Sequence, residues 1–376
     1  MKTKGRDMKR DKKREGDRQA LEGYREEVDR IDEQILSLLS RRQGLAALIG
    51  ELKGVLGVEL FNPAREEEVL RHLVSNRQKE LTPEVVRHIF SEIISAARSV
   101  QQPLTIAFLG PEATFSHQAA ISLFGRSASF LSAETIEKAF DLVEKGICQR
   151  GVVPIENSYE GSIGSTMDLL YQYELKISAE LFLRIRHHLL SREDNISKIK
   201  HLYSHPMAIA QCHSWIKGHL PKVIVKETES TSIATKLAAD EPHAAAVGSQ
   251  LSALHYGLKI LKEDIEDNPQ NVTRFLAIGK SAADPTGRDK TAILFSLRHE
   301  PGALHKVLEP LAQRNINMTR IESRPMKTRN WEYLFFVDLE GHEEDSNVRE
   351  AVVEMQGRCA FIKRLGSFAA GGEPWD

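Results

Sequence analysis

Between residues 21 and 52, apolar side chains recur at three- and four-residue steps: Leu21, Tyr24, Val28, Ile31, Ile35, Leu38, Leu45, Ile49 and Leu52. This period predicts one helix of roughly 30 residues, about 45–50 Å long at 1.5 Å per residue. A small monomer cannot cover so long a helix, so the pattern points to a partner chain. Gly54 and Gly57 are expected to break it. Asn62-Pro63 then caps and starts a second helix with Val69, Leu70 and Leu73 inward. Thr82-Pro83 starts a third, with Val85, Val86, Ile89, Phe90, Ile93, Ile94 and Ala97 on its buried face.

After Gln102-Pro103 the pattern changes to short apolar runs separated by helical stretches. TIAFLG (105–110), GVVPI (151–155), HLYS (201–204), KVIVK (222–226), AAAVG (244–248) and RFLAIG (274–279) read as strands. Ser116–Phe124 and Glu134–Lys145 read as helices. Such alternation predicts parallel sheets covered by helices, and the length suggests two lobes with a cleft between them. SAADPTGRD (281–289) is a linker by composition. Beyond it the order is strand (290–297), helix (301–314), strand (316–324), strand (331–339), helix (346–357), strand (359–364), the ferredoxin-like βαββαβ.

Composition narrows the class. The 376 residues, 41% hydrophobic and 28% charged, suit a globular chain of two or three domains. A net charge of −2 gives no basic field for nucleic acid. No apolar run reaches the ~18–20 residues that cross a bilayer. Residues 1–19 are charged without an apolar segment, so they read as a disordered, solvated tail rather than a signal peptide. Cys148, Cys212 and Cys359 are odd in number, far apart and without C-x-x-C, which argues for a reducing, cytoplasmic setting with neither disulfides nor zinc. His201 and His205 lie four apart across a strand and a loop, not a metal-ligand set. AIGK (277–280) lacks the upstream glycine of a phosphate loop, and no G-x-G-x-x-G follows a strand, so NAD is not expected.

Several polar positions fit packing poorly. Arg42, Lys53 and Arg65 fall on the apolar stripes of the first two helices, and Gln101 lies four residues from Ala97. Inward cations repel unless something anionic lies among them: a small polyanion, or acids such as Glu66 or Glu59. In NPQNVTRFLAIG (268–279), Thr273 and Arg274 stand where a strand enters a core. Either the arginine is a solvated edge residue, or it holds an anionic ligand beside a reactive threonine. GPEATFSHQAA (110–120) places Thr114, Phe115 and Ser116 at a helix start, where hydroxyls and free N–H groups cap the helix or bind an anion. VPIENSYEGSIGSTMDLL (153–170), SHPMAIAQC (204–212) and ETESTSIATKLAA (227–239) also cluster polar groups at the ends of strands.

The helical segments YREEVDRIDEQILSLLSRR, IGELKG, NPAREEEVLRHL and EIISAARSVQQ resemble the all-helical chorismate mutases. The resemblance implies that Arg25 from a partner chain, Arg42 and Arg65 clamp the substrate carboxylates. Lys53 and Gln101 would hold its ether oxygen, and Glu66 its hydroxyl. Asn62 stands where that family often has Asp, and Ala97 where it commonly has Ser. The motifs between 104 and 280 resemble the prephenate dehydratases, apart from Ala113 where Gly is usual. This implies Thr273 as the catalytic residue, with Arg274 binding carboxylate or shaping the site, and Phe275 among the prephenate-binding residues. Asn157, Ser158, Gly161, Ser204, Ser230 and Thr231, with Thr114, Phe115 and Ser116, would surround prephenate, and Glu156 or His117 could supply a proton. EPGALHKVLEPL (300–311) and NINMTRIESRP (315–325) resemble the ACT domains that sense amino acids. There Gly302, Ala303, Leu304, Asn317, Glu322, Ser323, Arg324 and Pro325 would enclose phenylalanine.

The whole chain thus resembles the chorismate mutase–prephenate dehydratase fusions. The expected fold is multidomain: a tail (1–19), an all-α mutase domain (20–102), an α/β two-lobed dehydratase domain like a periplasmic binding protein (104–280) and an α+β ACT domain (290–368). The resemblance implies conversion of chorismate to prephenate and of prephenate to phenylpyruvate in phenylalanine biosynthesis, without a cofactor, with phenylalanine as effector. It implies a homodimer or higher oligomer, and no nucleic-acid or membrane partner. Dehydration of arogenate is the near alternative. A non-enzymatic, amino-acid-sensing two-lobed receptor is the distant one.

Overall fold

The computed structural model describes residues 4–56, 61–101, 103–298, 300–325, 333–372 and 374–375, with residues 4–16 described by their backbone alone. Helix α1 (Lys4–Leu56) is 53 residues long, against roughly 30 expected. Residues 4–19, expected as a disordered tail, are helical because the segment is rich in Lys and Arg, straight-chain residues that lose little freedom in a helix. Gly54 lies inside the last turn of α1, since one glycine costs only about 1 kcal/mol against alanine. Gly57 lies outside the described residues.

Helix α2 (Pro63–Ser75) starts as predicted: the Asn62 side chain accepts from Arg65 N at 2.9 Å, and Pro63 occupies the first turn. Helix α3 (Pro83–Gln101) follows Thr82, whose Oγ1 accepts from Val85 N at 3.4 Å. The chain forms two compact units. One holds α1 and Ala96–Gln101; the other holds α2, the rest of α3 and everything that follows. Among the described residues no helix is long and apolar enough to cross a membrane.

In the larger unit, β1 (Thr105–Leu109), α4 (Phe115–Phe124), β2 (Ser129–Ala133), α5 (Ile136–Glu144), β3 (Arg150–Asn157), the short β4 (Gly161–Ser162), α6 (Gly164–Gln172) and β5 (Lys176–Arg184) build a first lobe. The chain crosses to a second lobe: β6 (His188–Ser191), β7 (His201–Ser204), α7 (Pro206–Gln211), α8 (His213–His219), β8 (Ile224–Glu227), α9 (Thr231–Asp240), β9 (Ala244–Gly248), α10 (Gln250–Tyr256) and β10 (Lys259–Lys262). It then returns as β11 (Val272–Gly279). The sheet orders are β2-β1-β3-β11-β5 and β10-β6-β9-β7-β8. Both sheets are mixed, which corrects the expectation of parallel ones. The returning β11 runs antiparallel to both β3 and β5, and β6 runs antiparallel to β9. Two crossings between lobes require such reversals.

The C-terminal block has the expected order: β12 (Asp289–Ser296), α11 (Ala303–Gln313), β13 (Met318–Pro325), β14 (Tyr333–Glu340), α12 (Ser346–Arg358) and β15 (Phe361–Ala369). Its antiparallel sheet is ordered β13-β14-β12-β15. Ile293, Phe295, Val307, Val337, Val348 and Met355 form one core between this sheet and its helices. On the opposite face Ala292, Leu294, Phe336 and Phe368 join Val153, Ile155, Leu170 and Leu276 of the first lobe in a second core. The two sheets approach so closely that a Cβ on Gly366, at φ +130°, would lie 2.5 Å from Ile177 O. The C-terminal sheet is thus packed directly behind the strands that carry Thr273 and Asn157.

Candidate active sites

Thr273 and Asn157 are register partners where β11 enters and β3 leaves the first sheet. Asn157 is fully committed: Nδ2 donates to Asn271 Oδ1 and to Thr273 Oγ1, each at 2.9 Å. Its Oδ1 accepts from Tyr159 N at 2.9 Å and Glu160 N at 3.2 Å. Thr273 is 8% exposed, and among the described residues nothing accepts its hydroxyl proton. The amide is therefore a jig that fixes the Thr273 oxygen as acceptor and leaves its O–H to donate to a ligand. The buried Asn271 Nδ2 also lacks a partner among the described residues, so a second donor lies at the same point. The sequence reading passed over Asn271; its only mark there is its place two residues before Thr273.

The two lobes also meet through helix starts. Ser232 Oγ donates to Glu112 O, and Ser249 Oγ donates to Ala113 O at 3.4 Å, so α9 and α10 of the second lobe begin against the turn that precedes α4. Thr114 caps α4 and donates to Pro111 O at 2.9 Å; Ser230 caps α9, accepting from Ile233 N at 3.1 Å. These hydroxyls act as helix caps. Ser116 and Thr231 are buried in the first turns of those helices. Ser158 ties β3 to β11, accepting from Val272 N at 3.0 Å, and Gly161 turns the chain at φ +78°. Ser204 is fully buried and donates to Val247 O at 2.9 Å, so the structure gives it a packing role where substrate contact was expected. Phe275 is likewise core, 2% exposed among Phe108, Ile106 and Leu183.

The crossings between lobes pass beside this site. Ile185 N donates to Asn271 O at 2.8 Å, and Ile265 N to His187 O at 2.8 Å. The His187 ring stands edge-on to Phe115 at 5.5 Å and pairs through Nε2 with Gln211 Oε1 at 2.8 Å. Burial pushes the His187 ring from 6.5 down to about 4. The native state therefore binds the proton less readily than the unfolded chain. His187 contributes stability that is fully present above pH 6.5 and is lost as pH falls toward 4. The loss amounts to about 3 kcal/mol across that window. In urea unfolding at several pH values, His187→Gln should flatten the pH 4–6.5 slope; an unchanged slope would assign the term elsewhere. His117 is held below its usual value by burial, stacks on Phe108 at 4.4 Å and accepts from Ala113 N through Nδ1 at 3.0 Å.

Two expectations need correction. Arg274 and Glu156 are also register partners but point to the opposite face of the sheet, because successive strand residues alternate. Arg274 is 5% exposed and paired with Glu180 at 2.6 Å and Asp338 at 2.5 Å, so it shapes the site and is not free to bind a substrate carboxylate. Burial alone would lower its pKa; the two carboxylates outweigh that and keep it cationic. Glu156 pairs with Arg320 Nε at 2.9 Å, turned away from Thr273, which removes it as a proton source.

In the smaller unit, α1 and the end of α3 lie side by side. Gln43 Nε2 donates to Ala96 O at 2.7 Å, and a Cβ on Gly50 would meet Gln101 Cβ at 2.9 Å. Lys53 follows Gly50 by one turn on the same face, so this close approach brings Lys53 and Gln101 to one neighbourhood. Lys53, Arg42 and Gln101 are half-buried, whereas Arg25 is exposed. On α2, Asn62 caps the helix and donates to Asp284 at 2.7 Å, Glu66 is half-buried, and Arg65 makes an exposed pair with Glu68 at 2.6 Å. Such a surface pair is worth little and leaves the guanidinium available.

In the C-terminal block Gly302 takes a left-handed conformation (φ +76°) ahead of Ala303 and Leu304 at the start of α11. Asn317, Ser323 and Pro325 are exposed and Glu322 is half-buried. Arg324, expected at an effector, pairs instead with Asp168 of α6 at 2.8 Å. Gly164 makes room for it, since a Cβ there would overlap the guanidinium.

The architecture is a two-lobed α/β domain with polar groups gathered where β11 enters and β3 leaves its first sheet, joined in sequence to a helical segment and to a ferredoxin-like sheet. Family descriptions agree in the same order along the chain: chorismate mutase type II over 24–102, prephenate dehydratase over 106–283 and ACT domain over 291–355. The chain is 44% identical over 353 residues to the bifunctional chorismate mutase/prephenate dehydratase of Aquifex aeolicus, covering 93% of this chain and 97% of that one. It is 40% identical over 348 residues to that of Neisseria gonorrhoeae, covering 92% and 96%. A solved prephenate dehydratase from Arthrobacter aurescens, in complex with L-Phe, superposes with TM-score 0.65 at 35% identity, over 71% of this chain and 90% of that one. The chain belongs to the bifunctional chorismate mutase/prephenate dehydratase family, and it is an isomerase and a lyase of phenylalanine biosynthesis on one polypeptide.

Proposed function

We propose that the two reactions are carried by separate residue sets. In the first, Lys53 and Gln101 donate to the ether oxygen of chorismate as charge develops there, while Arg42 and a partner's Arg25 hold its carboxylates. A Claisen rearrangement requires neither nucleophile nor cofactor; a fixed conformer and preorganised cations suffice. The apolar stripe of α1 supports a dimer, since Tyr24, Val28, Leu38 and Leu52 are all more than half exposed.

In the second reaction, loss of the ring carboxylate as CO2 expels the 4-hydroxyl of prephenate and aromatises the ring. Thr273 donates a hydrogen bond to the departing oxygen, Asn157 holds the threonine, and Asn271 supplies the second donor. The carboxylates lie at the N-termini of α4 and α9. The observation that carries this reading is the committed Asn157 amide, which leaves the Thr273 O–H as a free, fixed donor. Steady-state kinetics on prephenate and arogenate test it: higher kcat/KM on prephenate is expected, and a purified protein that forms no phenylpyruvate would refute it.

Phenylalanine is the effector, held where Gly302–Leu304 and Asn317 meet Glu322–Pro325 from paired sheets in a cytoplasmic oligomer. Exposure of Ser323 and Asn317 supports that placement. Ser323→Ala should raise the phenylalanine concentration for half-inhibition about tenfold, the loss of one hydrogen bond. An unchanged inhibition curve would take Ser323 out of the effector site.

A further inference from the structure

Six charged side chains lie between the C-terminal sheet and the two strands that carry the catalytic pair. Arg274 meets Asp338 of β14 at 2.5 Å and Glu180 of β5 at 2.6 Å, and Lys290 of β12 meets the other Glu180 oxygen at 2.8 Å. Arg320 of β13 meets Glu156 at 2.9 Å and donates to Ser162 Oγ at 2.7 Å. Arg320 and Asp338 are themselves register partners across β13 and β14. Three cations thus face three carboxylates. The side chains of Arg274, Glu180, Asp338 and Arg320 are all at most 8% exposed, so each charge depends on its partners.

The register gives this cluster its direction. Thr273 and Asn157 are hydrogen-bonded to each other, and their immediate neighbours Arg274 and Glu156 face the C-terminal sheet. Each member of the catalytic pair is therefore one peptide unit from an ion pair anchored in another domain. Arg320 is two residues from Glu322, the start of the segment proposed for the effector, and Arg324 of that segment is itself tied to Asp168. A displacement of β13 moves Arg320 and, across the ladder, Asp338. We propose that Arg320 and Asp338 are positioning residues for the Thr273–Asn157 pair, and that effector occupancy on β13 reaches the active site through the Arg320–Glu156 and Asp338–Arg274 ion pairs. This rests on the regulatory reading above. It adds which side chains connect the two sites, and an effector acts through them only by binding two arrangements of β13 unequally.

The test separates effector binding from its consequence. In the full-length protein, Arg320→Gln and Glu156→Gln each neutralise one partner of the first ion pair; Glu156 is 39% exposed, so the second variant is the milder for folding. Phenylalanine affinity is measured by calorimetry, and inhibition as the ratio of prephenate turnover without and with saturating phenylalanine in the same variant. Affinity within about threefold of the parent, with the inhibition ratio reduced tenfold or more, is the expected result. Inhibition retained at the parental ratio in both variants would overturn the proposal. Affinity lost together with inhibition would also overturn it, by placing Arg320 in the effector site. If the unchanged protein binds no phenylalanine, or binds it without inhibition, the regulatory reading itself falls and the proposal with it.

Discussion

Thr273→Val should lower prephenate turnover by about 10²–10³-fold, the usual cost of removing one preorganised donor from a transition state. Valine keeps the branched shape that the strand and its neighbours require, so the change removes an O–H and little volume. It also leaves one Asn157 proton without its acceptor, a penalty of about 1–3 kcal/mol that falls on stability rather than on rate. A thermal melt alongside the kinetics separates the two. The loss should be in kcat more than in KM, because the hydrogen bond strengthens only as the hydroxyl departs. Chorismate rearrangement by the same protein should be unaltered. A kcat within fivefold of the parent would remove Thr273 from the chemistry and leave it as a buried structural residue.

Lys53→Ala should do the reverse. Mutase kcat/KM falls by about 10²–10³-fold if, as proposed, the ammonium opposes negative charge developing on the ether oxygen. Dehydratase turnover, measured with prephenate supplied directly, stays at the parental level. Lys53 and Thr273 belong to different compact units, which makes independence the physical expectation. Equal loss of both activities on Lys53→Ala would contradict separate sites.

How much of this was legible beforehand depended on the range of the interaction concerned. The caps at Asn62 and Thr82 and the βαββαβ order were readable because each depends on neighbours within a few residues. Strands β2, β5, β6 and β10 are absent from the sequence reading: β5 and β6 are buried runs with no turn signal between them, whereas SFLSA and KILK are short, mostly unburied segments, made strands by partners distant in sequence. The reversed direction of β11 has the same origin. At the site, Thr273 was identified by motif, but its immobilisation by Asn157 and Asn271 is a contact across more than 110 residues. Arg274 shows the limit most clearly. Sequence placed a cation beside a reactive threonine, yet only the alternation of β11 and the packing of β14 behind it assign that cation to Asp338 and Glu180 instead of the substrate. The proposition that inward cations serve dicarboxylate ligands is thus corrected for Arg274, and for Arg65, which is exposed and paired with Glu68; it stands as a proposal for Arg42 and Lys53.

Separate catalytic residues on one chain are the central claim, and a time course fed with chorismate alone tests it most directly. Parent, Thr273→Val and Lys53→Ala proteins are compared, with prephenate and phenylpyruvate both quantified. The account predicts transient prephenate followed by phenylpyruvate in the parent, accumulated prephenate in Thr273→Val, and neither product in Lys53→Ala until prephenate is added. Phenylpyruvate formed from chorismate at the parental rate by Thr273→Val, or no recovery of Lys53→Ala on addition of prephenate, would contradict it.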